Sequence, residues 1–135
     1  MKWHEPLLTA VFREGGRTLP HVDCYGLHRA ILMTVAGIED VPEWGEGYSV
    51  ADARRVGALF EEGAARRPWI AVTEEREFDA ILLRRRGRLP LHVGTVVRPG
   101  IMLHITSQHS PRLEDYRSPE WRSRVLGFFR HEALA

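Results

Sequence analysis

The sequence contains a single cysteine, Cys24, among its 135 residues. One cysteine cannot form a disulfide within the chain, so we expect a protein that is made in reducing conditions or is indifferent to oxidation. No apolar run approaches the roughly 18 residues that a membrane-spanning helix requires. The absence of such a run predicts a soluble protein that does not insert into membranes.

The sequence also lacks an excess of charge of either sign. Nineteen Lys and Arg residues face 18 Asp and Glu residues, which leaves a formal net charge of +1 at pH 7. Proteins that bind the phosphate backbone of nucleic acids usually carry a basic stripe, and this sequence has none. Nucleic acid is therefore not an expected partner.

A secretory signal is missing from the first residues as well. The segment from Met1 to Pro6 has no basic leader followed by an apolar stretch. We therefore expect that something other than its own signal carries the protein to any target outside the cell.

Internal repeats and low-complexity tracts are absent too, and what remains is the composition of a globular chain. Hydrophobic residues make up 44% of the 135 residues, which is enough to bury a core without cross-links. The sequence predicts one domain spanning residues 1–135.

Helical patterns occupy the first half of the chain. The apolar and small residues that follow Cys24 predict a buried helix, with Asp23 as its N-cap and Gly37 as its stop. Two further helices are predicted, over Leu7 to Arg13 and over Ser49 to Arg67.

Strand patterns occupy the second half. Four segments are rich in β-branched, aliphatic and aromatic residues: Trp69 to Thr73, Ala80 to Arg84, Leu91 to Val97 and Ile101 to Thr106. A tight turn at Arg98-Pro99-Gly100 joins the last two, and a helical turn is predicted at Ser118 to Trp121. Because the helices precede the strands, we expect an α+β domain with N-terminal helices packed on an antiparallel β-sheet.

Three residues in these elements have the chemistry of a thiol hydrolase. Cys24 lies at a helix N-terminus, where the pKa of a thiol is lowered and the nucleophilic thiolate is favoured. His92 and His104 lie on adjacent predicted strands, so their side chains can be paired or diagonal neighbours. The pattern indicates a nucleophile, a general base and a group that orients the base.

Each of these residues also has an ordinary structural interpretation. A lone cysteine on an apolar helix is often a small core residue, and a histidine on a strand is often a polar residue with a local partner. Cys24, His92 and His104 also combine the ligand types of zinc, but without the close-spaced pair that zinc sites usually contain. Composition and spacing therefore leave these alternatives open.

The arrangement of these residues resembles that of a known family. The segment Asp23-Cys24-Tyr25-Gly26-Leu27, followed by His92-Val93-Gly94 and then Leu103-His104, is similar to the motifs of the NlpC/P60 papain-like cysteine peptidases. Three further segments resemble the phage-tail branch of that family, which includes tail-tip and gene-transfer-agent-like proteins: Gly16-Arg17, Phe78 to Leu83 and Gly127 to His131.

The resemblance implies a papain-like NlpC/P60 fold and a catalytic triad. By this resemblance Cys24 is the nucleophile, His92 is the general base and acid, and His104 is the third, polar member. The implied reaction attacks an amide carbonyl, forms a thioester and releases it to water, without a metal or a cofactor. The implied bond lies in the stem peptides of bacterial peptidoglycan.

The residues of the substrate cleft depart more from the family pattern. Tyr25 stands where bacterial members commonly carry a small serine, and His21 is the only polar ring near the position of their upstream tyrosine. A glycine-rich loop ahead of the predicted helix at Ser49 lengthens the chain between the cysteine and the histidines, and its aromatic residues can line the cleft or anchor the loop. The candidate cleft or oxyanion residues are His21, Tyr25, Trp44 and Tyr48.

The resemblance also implies a biological setting. The expected protein is a cysteine endopeptidase of a phage or phage-like tail, made in the host cytoplasm, that opens peptidoglycan during entry. Its expected partners are peptidoglycan and tail-tip or baseplate proteins. Two alternatives remain, namely a structural tail adaptor with weak or no catalysis, and a thiol acyltransferase or amidase with the same triad.

Overall fold

The computed structural model describes residues 2–43, 67–84 and 91–135. Within these ranges one α-helix, α1 (Cys24–Thr34), accompanies nine strands and three short 3₁₀ helices. The strands are β1 (Val11–Phe12), β2 (Arg17–Thr18), β3 (His21–Val22), β4 (Trp69–Val72), β5 (Ala80–Arg84), β6 (Leu91–Arg98), β7 (Ile101–Thr106), β8 (His109–Asp115) and β9 (Val125–His131). The 3₁₀ helices are Glu5–Thr9, Arg122–Arg124 and Glu132–Leu134. The helix predicted over Ser49 to Arg67 falls outside the described residues except at its last position.

The strands form two sheets. In the small sheet β3 lies between β1 and β2, parallel to the former and antiparallel to the latter. The other six strands form an antiparallel sheet in the order β4-β9-β5-β6-β7-β8. A helix packed on an antiparallel sheet confirms the predicted α+β class.

Asp23 starts α1, as the sequence predicts. Its backbone is extended, and its Oδ1 accepts a hydrogen bond from the Gly26 N–H at 2.7 Å. Its Oδ2 accepts from the Gly15 N–H at 3.2 Å and from the Arg17 guanidinium at 2.6 Å. Beyond the last helical residue, Gly37 adopts a left-handed φ of +72°, which lets the chain turn away.

The large sheet is covered on both faces. Leu27 and Ile31 of α1 pack on Val97, Leu103 and Ile105 on one face. The opposite face lies under the C-terminal segment, in a cluster of Ile81, Leu83, Val96, Met102, Tyr116 and Trp121. The apolar stripe of α1 therefore sets the helix across β6 and β7, which carry the two predicted catalytic histidines.

The helix predicted over Leu7 to Arg13 is wrong. A 3₁₀ helix over Glu5–Thr9 gives way to strand β1, because the Val11 N–H donates to the Pro20 carbonyl at 2.7 Å. β-Branched and aromatic side chains suit this extended pairing better than a continued helix.

The sequence predicts no strand at β8 or β9, and both are present. β8 is an edge strand with mostly polar side chains, so it lacks the apolar alternation of a buried strand. β9 contains Arg130, whose guanidinium is buried because it binds both carboxylate oxygens of Asp79 at 2.8 and 2.7 Å. The turn predicted at Ser118 to Trp121 is present, with the Trp121 N–H donating to the Ser118 carbonyl.

No helix among the described residues has both the length and the hydrophobicity to cross a membrane.

Candidate active site

Cys24 is the first residue of α1 and lies just below the surface, 8% exposed. It packs against Leu82 of β5 and Val93 of β6, which are directly opposite each other in the sheet. The partial positive charge of a helix N-terminus favours a thiolate at this position. The neighbouring carboxylate of Asp23 is bound by backbone N–H groups and by Arg17, so it serves as the helix cap.

His92 directly precedes Val93, so the strand on which Cys24 packs also carries the predicted base. His92 Nε2 lies 2.8 Å from His104 Nδ1, and the two rings meet edge to face with centroids 5.0 Å apart. Both imidazoles are buried, each with 1% exposure. The structure therefore brings the two predicted histidines into direct contact across the β6–β7 hairpin.

Gly94 makes room for this contact. In the antiparallel register of β6 and β7, Gly94 lies beside His104. A Cβ atom at this position would lie 3.1 Å from the side chains of Ile81 and Met102 and 3.5 Å from the Cβ of His104. The missing side chain leaves space in which the His104 ring reaches diagonally toward His92.

Glu114 of β8 continues the line of polar groups and is absent from the residues that the sequence predicts. One of its oxygens accepts a hydrogen bond from His104 Nε2, and the other accepts one from the Trp121 indole at 3.2 Å. Its only signal in the sequence is its place in His109–Asp115, if that segment is recognised as a strand paired with β7.

Glu114 is a carboxylate at neutral pH. Partial burial of the group opposes ionisation, but the hydrogen bonds from His104 and Trp121 lower the pKa of Glu114 below its ordinary value. The pKa of His104 is also lowered, because burial of its ring outweighs the attraction of the Glu114 carboxylate. A neutral imidazole therefore faces an ionised carboxylate.

These charge states fix the proton positions in both imidazoles. A carboxylate only accepts, so His104 Nε2 carries the proton of that neutral ring and His104 Nδ1 is an acceptor. His92 Nε2 must then donate to His104 Nδ1, which puts the lone pair of a neutral His92 on its Nδ1. A nitrogen lone pair on a neutral imidazole is what a general base requires.

Tyr25, predicted to line the cleft, is a buried residue of α1. Its hydroxyl donates to the Pro42 carbonyl at 2.5 Å, and the Arg17 guanidinium lies 5.2 Å from the centre of its ring. Burial raises the pKa of Tyr25 above its ordinary value, although the nearby charge of Arg17 opposes this. The contacts join α1 to β2, which precedes it, and to the segment that follows it.

The other three candidate cleft residues are distributed differently. His21 is exposed on β3, two residues before the N-cap Asp23. Trp44 and Tyr48 lie outside the described residues. None of the bonds that join His92, His104 and Glu114 involves His21.

The described part of the chain also contains a group of side chains that could hold a metal ion. Ligand atoms of His104, His109 and Glu114 lie within 4.8 Å of one another. This group shares His104 with the triad predicted from sequence, but it includes neither Cys24 nor His92.

The fold resembles solved structures of NlpC/P60 proteins. An NlpC/P60 family protein from Bacillus cereus ATCC 10987 matches 93% of this chain and 36% of its own, with a TM-score of 0.63 and 19% identity. A protein from Staphylococcus aureus subsp. aureus Mu50, described as similar to a lipoprotein of the NLP/P60 family, matches 93% of this chain and 38% of its own, with a TM-score of 0.60 and 18% identity. The NlpC/p60 domain of the peptidoglycan hydrolase SagA matches 92% of this chain and 88% of its own, with a TM-score of 0.57 and 18% identity.

At 18% to 19% identity these likenesses show a common fold. The chain spans little more than a third of the length of the first two proteins. No protein-family model matches the sequence, and no curated protein matches it.

Proposed function

We propose that this protein is a cysteine endopeptidase that hydrolyses peptide bonds in the stem peptides of peptidoglycan. The observation that carries the proposal is the hydrogen-bonded line from Glu114 through His104 to His92, on the strand against which Cys24 packs. The NlpC/P60-like fold and the peptidoglycan hydrolase among the structural neighbours support the choice of substrate.

In this proposal His92 acts first as the general base and then as the general acid. Its Nδ1 takes the proton of the Cys24 thiol, and the thiolate attacks the carbonyl carbon of the substrate amide. The tetrahedral intermediate collapses to a thioester as the leaving amine takes that proton from His92. A water molecule then gives a proton to His92 and attacks the thioester, which releases the acid and restores the thiol.

His104 and Glu114 act as positioning residues behind the base. His104 Nδ1 accepts from His92 Nε2, which holds the ring of the base, and Glu114 accepts from His104 Nε2, which holds the second ring. The carboxylate also stabilises the positive charge that develops when His92 is protonated. The backbone N–H of Cys24, at the N-terminus of α1, is suited to stabilise the oxyanion.

We further propose that the enzyme travels in a phage or phage-like tail, beside tail-tip or baseplate proteins. The support is the sequence likeness to that branch of the family at Gly16-Arg17, Phe78 to Leu83 and Gly127 to His131. Mass spectrometry of particles purified from the source strain tests the location, and particles that lack this chain contradict it.

The activity is tested by incubating the purified chain and its Cys24→Ala variant with purified peptidoglycan, followed by mass spectrometry of the released muropeptides. We expect fragments from the wild type alone, with new peptide termini that identify the bond. Cys24→Ser is the matched second variant, because it keeps a hydroxyl of similar size but loses the acidity of the thiol.

The variants must show the circular dichroism and thermal midpoint of the wild type for this comparison to hold. Equal release of fragments by wild type and Cys24→Ala contradicts the proposal. Inertness of all three folded proteins also contradicts it, and would support the structural tail adaptor instead.

A further inference from the structure

Two imidazoles and a carboxylate meet at the Glu114 end of the hydrogen-bonded line that runs from His92 through His104 to Glu114. One ligand atom of His104, one of His109 and one of Glu114 lie within 4.8 Å of each other. Two imidazole nitrogens and one carboxylate oxygen form a familiar three-ligand set for zinc, with a fourth position left for water. Zinc bonds of about 2.0 Å place ligand atoms about 3.3 Å apart, so no pair of ligand atoms needs to close by more than about 1.5 Å. The hydrogen-bonded atoms of His104 and Glu114 need to separate slightly instead.

His109 already has the second hydrogen bond that metal-binding histidines usually have. Its Nδ1 lies 2.6 Å from the carbonyl oxygen of Ser110, and because a carbonyl only accepts, this nitrogen carries the proton. The lone pair of the neutral ring is therefore on Nε2. A backbone carbonyl that holds the other N–H fixes the ring of a ligating histidine in this way.

The three groups are open to an ion from the side of β8. His104 is buried, whereas His109 and Glu114 are half-buried. The Arg112 guanidinium, 3.4 Å from Glu114, opposes a cation, but its side chain is 57% exposed and such a pair contributes little to stability. The Trp121 indole binds the other oxygen of Glu114 at 3.2 Å and holds the carboxylate at the site.

We propose that a divalent transition metal ion of the zinc class binds His104, His109 and Glu114, and that its binding switches the hydrolase off. Metal binding stands on the geometry of these three residues alone. The switch rests on the function proposed above, because it acts through the base of that mechanism.

The switch follows from the proton positions in the two buried imidazoles. To bind the ion, His104 Nε2 must release its proton, and the neutral ring then carries a proton on Nδ1 instead. His104 Nδ1 now donates to His92 Nε2, so the proton of His92 moves to its own Nδ1. The two rings change tautomer without a net gain or loss of protons, and His92 Nδ1 can no longer accept a proton from Cys24.

Metal binding is tested in a Cys24→Ala background, which removes the thiol as a competing ligand. Titration with Co²⁺, followed by visible absorption, and with Zn²⁺, followed by calorimetry, should show one ion per chain. His109→Gln should weaken binding by at least about tenfold, and Arg112→Gln should tighten it. His21→Gln, which removes an exposed histidine outside the group, is the matched control and should bind as the parent does.

The switch is tested by nitrogen NMR of the histidine rings in the ¹⁵N-labelled Cys24→Ala protein. Adding Zn²⁺ should move the protonated nitrogen of His92 from Nε2 to Nδ1. In the wild type Zn²⁺ should inhibit release of muropeptides, and the His109→Gln variant should need at least about tenfold more Zn²⁺ for the same inhibition.

The outcomes separate the two proposals. Absence of binding, or binding that His109→Gln leaves unchanged, overturns the metal site whether or not the protein cleaves peptidoglycan. A His92 proton that stays on Nε2, or equal sensitivity to Zn²⁺ in both proteins, overturns the switch. A metal-free protein that cleaves nothing overturns the hydrolase, while the titration still decides the metal site.

Discussion

Glu114 sets the proton positions of two histidines although it bonds to only one of them. In Glu114→Gln the side-chain amide can donate to His104 Nε2, which favours the wrong tautomer in both rings. If the protein has the proposed activity, we expect kcat on peptidoglycan fragments to fall by about 100-fold with little change in KM, because in the proposed mechanism the loss affects the base and not substrate binding.

Glu120→Gln is the control for this variant. It also removes a carboxylate, but Glu120 is exposed and lies six residues further along the chain. It should keep the kcat of the wild type. Equal kcat values for Glu114→Gln and Glu120→Gln, with matched folding, would show that Glu114 does not position the base.

The positions of Cys24, His92 and His104 in the fold can be predicted from sequence because local signals place them. Asp23 caps the helix that begins at Cys24, and the turn after β6 sets His92 and His104 on paired strands. Glu114 cannot be predicted in this way, since its place depends on β8, whose residues lack the apolar alternation of a strand.

Among the elements, the first turn of α1 has no room for a side chain at Gly26. A Cβ atom there would lie 2.0 Å from the carbonyl oxygen of Gly16 and 3.1 Å from Oδ1 of Asp23. Alanine has the better helix propensity by about 1 kcal/mol, but the backbone clash should make Gly26→Ala less stable by at least about 2 kcal/mol. Urea unfolding measures this difference.

Thr34→Ala is the matched control for Gly26→Ala, because Thr34 is an exposed residue of the same helix. It should change the free energy of unfolding by less than about 1 kcal/mol. Similar costs for the two variants would mean that the contact with Gly16 relaxes easily.

A buried ion pair joins the start of β5 to β9. Arg130 binds Asp79 through two hydrogen bonds and donates a third to the Glu74 carbonyl at 3.1 Å. Asp79→Asn or Arg130→Met alone should cost about 3 to 5 kcal/mol, since each leaves its buried partner unpaired. The double variant should cost clearly less than the sum, as measured by urea unfolding, and additive costs would contradict this coupling.

The elements with strong local patterns match the structure closely. Helix α1 starts at the predicted N-cap, and β5 and β7 have the predicted bounds. The two-residue strands of the small sheet are too short to show the alternating pattern of a strand, so the sequence does not predict them.

For the whole molecule, the clearest pH effect comes from His28 of α1. Its Nδ1 bonds to the Thr95 hydroxyl at 2.7 Å, while its Nε2 is buried without a hydrogen-bond partner among the described residues. Burial, with a smaller effect from His131, lowers the pKa of His28 to about 3. In the unfolded chain its pKa returns to about 6.5.

The unfolded state therefore binds more protons than the native state between pH 6.5 and pH 3. The contribution of His28 to stability is complete above pH 6.5 and is lost as the pH falls through this range, by about 2 kcal/mol at pH 5. We expect the thermal midpoint to fall from pH 7.5 to pH 5 by clearly more in the wild type than in His28→Gln. The same fall in both proteins would contradict this assignment.

At this scale the α+β class follows from the order of the predicted elements, but the order of the strands does not. β9 lies between β4 and β5, although about fifty residues separate it from β4 and about forty from β5 in sequence. The pairing depends on the buried Arg130 and on aromatic residues of β9, whose partners lie far away in the chain.

The line from His92 to Glu114 crosses three adjacent strands, and each strand contributes one residue to it. Successive side chains of a strand point to opposite faces of the sheet, so a shift by one residue turns every side chain to the other face. A single-residue insertion or deletion between the β6–β7 turn and His104 would thus aim the ring toward α1. Over evolutionary time, these strands can gain or lose residues only in pairs if the hydrogen bonds of this line are to be kept.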